Sequence, residues 1–315
     1  MILIISTHKD KHASKVIELL NKKGAKSHLL DLSNFPKRSS ISIDFNSNSP
    51  DRIIFEDING AIQLSNCKVV WWRRPQPFVL HEEINSSDDR NFAYTECHAA
   101  FAGLWNSLDA TWINNPLLDE DACKKVYQLK MAKKIGLQIP DTCVTNNPNR
   151  ATEFAAIYGN NNVIYKAFSG TERAWRETRL LKDDDFKQIE KVKYAPVILQ
   201  KYIEAKADLR VTIVNDKIFV GAIYASNTSY PIDFRMVMNE AHMEPFELPT
   251  KIKGMLLKLM KRLGLIYGAI DMRLTPNGDY VFLEINPSGQ WLFVEERTGL
   301  PISDNFAEFL FSKDQ

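Results

Sequence analysis

The densest chemistry in the chain lies between residues 268 and 287, where two carboxylates and an amide fall within one strand-turn-strand pattern. Asn277-Gly278 sits between two alternating apolar runs, which predicts a β-hairpin. With those two residues as the turn, Ile270 faces Ile285, Met272 faces Leu283 and Leu274 faces Val281, so one face is wholly apolar. The other face sets Asp271 directly opposite Glu284 and Arg273 opposite Phe282, with Asn286 two residues beyond Glu284. Directly opposed carboxylates repel, so something positive belongs between them. Arg273 is one choice, in a solvated salt-bridge cluster. A hard divalent cation is the other, because Asp, Glu and Asn oxygens are the ligands Mg²⁺ takes while keeping waters and phosphate oxygens. A three-residue loop would break this register.

Several other residues are suited to an anion. Lys166 lies near the end of the otherwise apolar run 163–168, as an edge-strand guard or as a charge facing a ligand. The following Ser169-Gly170-Thr171 forms an ordinary turn or offers backbone N–H groups to an anion. Lys124 and Lys125 fall near the start of a helix expected over 119–135, with Val126, Leu129 and Ile135 on its buried side and Gly136 at its end. Gln200-Lys201-Tyr202-Ile203 follows a short buried strand and can present backbone groups to a base edge. Arg235, in a polar loop, can pair with Asp233 at the surface. Arg73 and Arg74 end the buried strand 67–72, where open α/β sheets place ligands; the alternative is a salt bridge between the first and second units.

The elements that must position these groups follow from periodicity. Residues 2–6 form a short apolar strand, followed by an amphipathic helix closed at Gly24 and a second strand over 27–32. Residues 33–66 hold a short hairpin or irregular loops, and 86–108 form one long helix opened by Ser87-Asp88-Asp89. Further on come a helix over 149–158, a charged helix over 183–193, a hairpin across Asn215-Asp216 and an amphipathic helix over 250–263. The 315 residues suffice for two or three small domains, and 44% hydrophobic with 25% charged content fits a packed globular core. A net charge of +1 gives no sign of nucleic-acid binding. The 4 cysteines form no close pair, and the 6 histidines show no metal-ligand spacing. No apolar run reaches membrane-spanning length, so no membrane partner and a cytoplasmic location are expected. Trp105 and Trp112 are expected in the core, and Trp291 near the site.

In combination these residues resemble an ATP-grasp ligase over residues 115–310. The most specific piece is Phe282-Leu283-Glu284-Ile285-Asn286-Pro287, preceded by Gly268-Ala269-Ile270-Asp271. The fold class this implies is α/β, becoming α+β in the C-terminal part: an ATP-grasp fold behind an N-terminal pre-ATP-grasp βαβ domain. The implied domains are 1–116, the pre-ATP-grasp domain; 117–195, the central subdomain; and 196–315, the C-terminal subdomain with the Mg/ATP site. The implied cofactors are ATP and Mg²⁺, with Asp271, Glu284 and Asn286 on the metal. Lys125 and Lys166 match the phosphate-binding lysines, Gln200, Lys201 and Ile203 the adenine hinge, Asp208 a ribose-side acid and Arg210 a phosphate-side base. Within that superfamily, Trp71-Trp72-Arg73-Arg74-Pro75, Pro287-Ser288-Gly289-Gln290-Trp291 and Thr298-Gly299-Leu300-Pro301 resemble the microviridin-type graspetide maturases. That resemblance implies cross-linking of a ribosomal precursor peptide, leader plus acidic core, through ω-ester or ω-amide bonds. Arg210 and Arg235 are then the catalytic candidates, the 183–193 helix a leader dock, and a homodimer the prior expectation. The rivals are a ligase that adds a free amino acid to a peptide or protein, and a non-catalytic nucleotide-binding regulator.

Overall fold

Four consecutive apolar residues open the first sheet. In the computed structural model, which describes residues 1–159, 162–168, 178–225, 228–230 and 232–315, Ile2–Ile5 is fully buried. This strand pairs in parallel with Ser27–Leu30 on one side and Val69–Trp72 on the other, and Thr111–Ile113 extends the sheet. Such strands read as continuous apolar runs because both faces are covered. Ile2, Ile4 and Trp71 pack with the helices Lys11–Lys22 and Ile302–Asp314; Leu3, Ile5 and Val70 pack with the helix Ser87–Ser107. The last helix therefore returns to the first domain, and the N-terminal ammonium bonds Asp314 at 2.6 Å. Residues 33–66 hold more than a short hairpin: Ser40–Asn46, Ser49–Asp57 and Gly60–Gln63 form a three-stranded antiparallel sheet.

Two antiparallel sheets follow. The smaller has the order Arg179–Leu180, Val163–Lys166, Val197–Lys201, Thr142–Thr145. The larger has the order His242–Pro245, Lys217–Tyr224, Ala207–Val214, Tyr267–Leu274, Tyr280–Asn286. One face of the larger sheet is packed by the helices Lys125–Ile135 and Thr250–Leu263 through Met131, Ala132, Leu256, Leu259 and Leu263. Its opposite face looks toward the smaller sheet across a cleft.

The structure corrects several local expectations. The helix expected over 119–135 is two helices, Pro116–Ala122 and Lys125–Ile135, because Lys124 is extended at φ −75°, ψ 103°. The break turns Val126 to solvent, and the second helix buries Gln128, Met131 and Ala132 instead. The charged stretch 183–193 is one helical turn, Asp183–Phe186, followed by a 3-10 segment, Ile189–Tyr194. None of its residues is fully buried; Phe186, Ile189 and Val192 pack only in part against the core around Phe154, Leu181 and Leu199, at the three-residue spacing that a 3-10 segment aligns on one face. Ser169-Gly170-Thr171 lies outside the described residues.

The hairpin register contains two departures that cancel. The turn uses three residues, not two: Gly278 N–H donates to Thr275 O at 3.0 Å, Thr275 N–H donates to Asp279 O at 2.9 Å, and Gly278 has φ +88°. This is the three-residue hairpin with glycine in the left-handed position. Leu274 therefore faces Tyr280, Arg273 faces Val281 and Met272 faces Phe282. A β-bulge then takes up Leu283, and Asp271 meets Glu284 as the spacing predicts. Phe282 enters the core in place of Leu283, which turns into the cleft.

The first domain is stapled to this hairpin by one buried amide. Asn114 Oδ1 accepts from the N–H groups of Ile266 and Tyr267, both at 2.9 Å, and its Nδ2 donates to Tyr267 O and Pro287 O at 2.9 and 3.2 Å. Asp119 lies beside it, 7% exposed, and accepts from Asn114 Nδ2 at 3.4 Å. Burial pushes the Asp119 carboxyl up to about 6, against the pull of its Asn114 and Ser288 hydrogen bonds and of Arg73. The folded state therefore binds this proton more tightly than the unfolded chain, and stability falls as pH rises from about 4 to 6. Asp119→Asn removes this dependence. In urea unfolding, the stability of that variant relative to wild type should rise between pH 4 and pH 7 by up to about 3 kcal/mol. A pH-independent difference would contradict the assignment.

Candidate active site

The carboxylates Asp271 and Glu284 stand opposite one another, and each is neutralised from a different element. Lys125 Nζ donates to Glu284 Oε2 at 2.5 Å, and Lys166 Nζ lies 4.0 Å from the same oxygen. Arg210 Nη1 donates to Asp271 Oδ1 at 2.8 Å, and Asn286 Nδ2 reaches Asp271 Oδ2 at 3.4 Å. Arg273 does not sit between the carboxylates. Its Nε donates to Asp208 at 2.9 Å, Nη1 to Ile203 O at 2.5 Å and Nη2 to Ile232 O at 2.8 Å.

Burial alone would raise the Glu284 carboxyl, but Lys166, Lys125 and Arg235 overcome it and hold it well below the usual carboxylate range. Burial lowers the Lys166 ammonium, with Glu284 opposing and Lys125 adding to the shift. Burial would also lower the Arg210 guanidinium, but Asp271 outweighs it and raises it. The site thus concentrates several charges whose balance depends on their partners.

Local structure explains how each group arrives. The break at Lys124 puts Lys125 at the first position of its helix. Gln128, one turn on, fixes that helix to the hairpin: Nε2 donates to Ala122 O at 2.6 Å and Ile285 O at 2.8 Å, and Oε1 accepts from Ile285 N–H at 3.1 Å. Lys166 ends its strand opposite Ile198. Arg210 also donates through Nη2 to Gln290 O at 2.9 Å, which requires glycine beside it. A Cβ on Gly289 would stand 2.3 Å from Ala269 Cβ and 2.9 Å from Arg210 Nη2.

The sheets enclose a cleft of about 590 Å³. The structure brings Lys125, Lys166, Gln200, Lys201, Ile203, Asp208, Arg235, Asp271, Glu284 and Asn286 to its walls, with Arg210 behind Asp271. Gln200 donates from Nε2 to Thr142 Oγ1 at 2.9 Å, and its buried Oε1 has no partner among the described residues. Lys201 Nζ stands over the Tyr158 ring at 5.6 Å. Arg235, half exposed, forks onto Asp233 at 2.7 and 2.5 Å, so it both lines the cleft and keeps its neighbour as partner. The hairpin donors are hard oxygens from two carboxylates and one amide, a set that fits Mg²⁺. Among the described residues no group of three His, Cys, Asp or Glu gathers, so the chain offers part of a coordination shell.

Sequence reasoning missed Asp10 and His12 in the support beneath the carboxylate hairpin. Asp10 caps the helix Lys11–Lys22 and accepts from Arg73 Nε at 3.0 Å; Arg73 Nη1 donates to Ser288 O at 2.6 Å and Gly289 O at 2.8 Å. His12 Nε2 accepts from the N–H groups of Trp291 and Leu292 at 3.0 and 3.2 Å. Burial lowers His12, which keeps the imidazole neutral for this accepting role. Trp291 is wholly buried beside the site, packed against His12, Trp71 and Tyr267. Arg73 was singled out by its place at the end of the 67–72 strand and Trp291 by its place after the hairpin; for Asp10 and His12 the signal was a polar run directly after an apolar strand, Ser6-Thr7-His8-Lys9-Asp10.

Comparisons with known proteins identify the family and the fold. Residues 1–119 match the MvdD pre-ATP grasp domain and residues 122–310 the RimK-like ATP-grasp domain. The macrocyclase MdnC of Microcystis aeruginosa MRC, solved with its precursor peptide MdnA, is 29% identical over 99% of each chain, with a TM-score of 0.87. A RiPP-associated ATP-grasp ligase of Chryseobacterium gregarium, solved with ADP and a leader and core peptide, is 28% identical over 99% of this chain and 96% of that one, with a TM-score of 0.89. The macrocyclase MdnB of the same Microcystis strain is 31% identical over 98% of both chains, with a TM-score of 0.82. Among curated proteins, a probable alpha-L-glutamate ligase of Shewanella amazonensis is 23% identical over 59% of this chain; the match spans 62% of that protein's length.

The close packing at Gly289 is directly measurable. Gly289→Ala should cost about 1–3 kcal/mol in urea unfolding. Gly254→Ala, in a helix with nothing within 4 Å of the added methyl, should be neutral or stabilising. Equal effects at the two positions would contradict the packing account.

Proposed function

Because the chain belongs to the RimK-like ATP-grasp family, we propose that it is an ATP-dependent peptide maturase. It activates Asp or Glu side chains of a ribosomal precursor peptide and joins them to Ser or Thr hydroxyls as esters or to Lys amines as amides. The observation that carries the reading is the cleft itself: an opposed carboxylate pair with an adjoining amide, and two lysines on one of those carboxylates. The 99% coverage of this chain by structures solved with precursor peptides supports a peptide rather than a free amino acid as substrate.

Joining a carboxylate to an alcohol or amine in water needs activation, and Mg²⁺-bound ATP supplies the phosphoryl group for it. A carboxylate oxygen of the peptide attacks the γ-phosphorus, the bond to the ADP oxygen breaks, and an acyl phosphate forms. The second side chain then attacks the carbonyl carbon, the C–O bond to phosphate breaks, and the attacking group loses its proton. The products are ADP, phosphate and one new bond. The chain's work is placement and charge stabilisation. Lys125 and Lys166, which here share Glu284, would meet the phosphate oxygens. Asp271, Glu284 and Asn286 would hold the Mg²⁺. Gln200, Lys201 and Ile203 take the adenine side, and Asp208, oriented by Arg273, takes the ribose side. Arg210 acts on the phosphate side by holding Asp271 and the Gln290 carbonyl. Arg235 takes the substrate carboxylate or the acyl phosphate.

We further place this activity in the cytoplasm and in a homodimer, the commonest symmetric assembly. Among the described residues, no helix is long and apolar enough to cross a membrane.

The test is the intact mass of an acidic precursor peptide encoded beside the gene, before and after incubation with protein, ATP and Mg²⁺. The reading predicts loss of one water per bond, and at least about 10²–10³-fold slower conversion by a folded Glu284→Gln variant. A mass gain of one amino-acid residue would move the assignment to the glutamate-ligase-like reaction. ATP binding without ADP release would favour a regulatory module. Near-normal conversion by Glu284→Gln would remove that residue from the metal set.

A further inference from the structure

Arg73 and Arg74 are adjacent and identical in type, yet the fold gives them different surroundings. Arg73 is 1% exposed and spends its guanidinium on Asp10 and the carbonyls of Ser288 and Gly289. Arg74 is exposed and lines the cleft. Its backbone has φ +48°, a left-handed conformation that costs a non-glycine residue about 1–2 kcal/mol. Strain of this kind gathers at functional sites, where the surrounding structure sustains it. Here it occurs where the first domain meets the cleft.

The partners of the cleft cations set Arg74 apart. Lys125 and Lys166 share Glu284, Arg235 forks onto Asp233, and Arg273 takes Asp208. Lys201 stands over Tyr158 at the adenine-hinge end. Arg74 donates only from Nε, to Ser288 O at 3.2 Å. Among the described residues no carboxylate pairs with it, and its two terminal nitrogens have no hydrogen-bond partner. The carbonyl that anchors it is two residues beyond Asn286, so Arg74 stands at the metal end of the cleft. A guanidinium anchored through Nε, with its outer edge toward a cavity, is arranged to take a carboxylate with two parallel N–H···O bonds.

We propose that Arg74 is a substrate-binding residue that holds a side-chain carboxylate of the peptide at the metal end of the cleft. This rests on the reading that the cleft activates a peptide carboxylate, and it assigns part of that recognition to the first domain. The left-handed backbone is what lets one arginine brace the loop after Asn286 from inside the fold while the next faces the substrate.

The backbone conformation makes the test clean, because glycine adopts φ +48° without strain. Wild-type protein is first shown to convert the acidic precursor peptide encoded beside the gene. Failure there bears on the functional reading and not on Arg74. With a converted peptide, R74G should fold with at least wild-type thermal stability, raise the KM for peptide about ten- to a hundredfold, and leave the KM for ATP within about twofold. R74K should recover only part of the loss, since an ammonium lacks the planar fork. Replacing the reacting Asp or Glu of the peptide by Asn or Gln should weaken binding to wild type, measured by competition, and add no further loss in R74G. An unchanged peptide KM in R74G would overturn the proposal. A parallel rise in the KM for ATP would also overturn it, by placing the guanidinium on the nucleotide.

Discussion

Two carboxylates held opposite one another on neighbouring strands are the constraint around which the cleft is built. Left alone, Asp271 and Glu284 would push the strands apart. Each instead draws a cation from another element: Lys125 from a helix start and Lys166 from the smaller sheet for Glu284, and Arg210 from the adjoining strand for Asp271. The ion pairs are therefore also the contacts that hold the walls of the cleft at their spacing. In the proposed function these same carboxylates would serve a divalent cation and the lysines a polyphosphate, so that both sets of charges would keep a partner.

That arrangement needs a rigid floor, and the first domain provides much of it. Asn114 satisfies backbone groups at Ile266, Tyr267 and Pro287 in one side chain. Arg73 and His12 secure the segment from Ser288 to Leu292. Gly289 lets Arg210 pass close to the chain. The helix Ile302–Asp314 then closes the chain back onto Lys11–Lys22. The N-terminal domain is thus structurally continuous with the site, and Arg74 extends that continuity to the substrate side.

Much of this was legible in the sequence, for identifiable reasons. The alternation around Asn277-Gly278 showed that Asp271 and Glu284 share a face. The pairing held because the extra turn residue is compensated by the bulge at Leu283, a cancellation that alternation alone does not reveal. The break before Lys125 was not legible because neither glycine nor proline marks it, and the apolar Val126 resembles a core residue although it is 52% exposed. The stretch 183–193 read as one charged helix, but its apolar residues Phe186, Ile189 and Val192 recur every three positions and half-bury on one helical turn and a 3-10 segment instead. Arg73 and Arg74 were ambiguous for a different reason. Arg73 does anchor the first unit to the second, though through the Ser288 and Gly289 carbonyls, its salt bridge being to Asp10 in its own unit, while the left-handed Arg74 takes the place in the cleft.

If these charges serve phosphoryl transfer to a peptide carboxylate, the fate of the carboxylate oxygen reports it most directly. A precursor peptide carrying ¹⁸O in its Asp and Glu side chains is converted with unlabelled ATP in unlabelled water, and the phosphate released is measured by mass spectrometry. Passage through an acyl phosphate predicts one ¹⁸O atom in phosphate for each bond formed from a fully labelled carboxylate. Unlabelled phosphate accompanying new bonds would show that the carboxylate is activated by another route, and would contradict phosphoryl transfer as the work of this cleft.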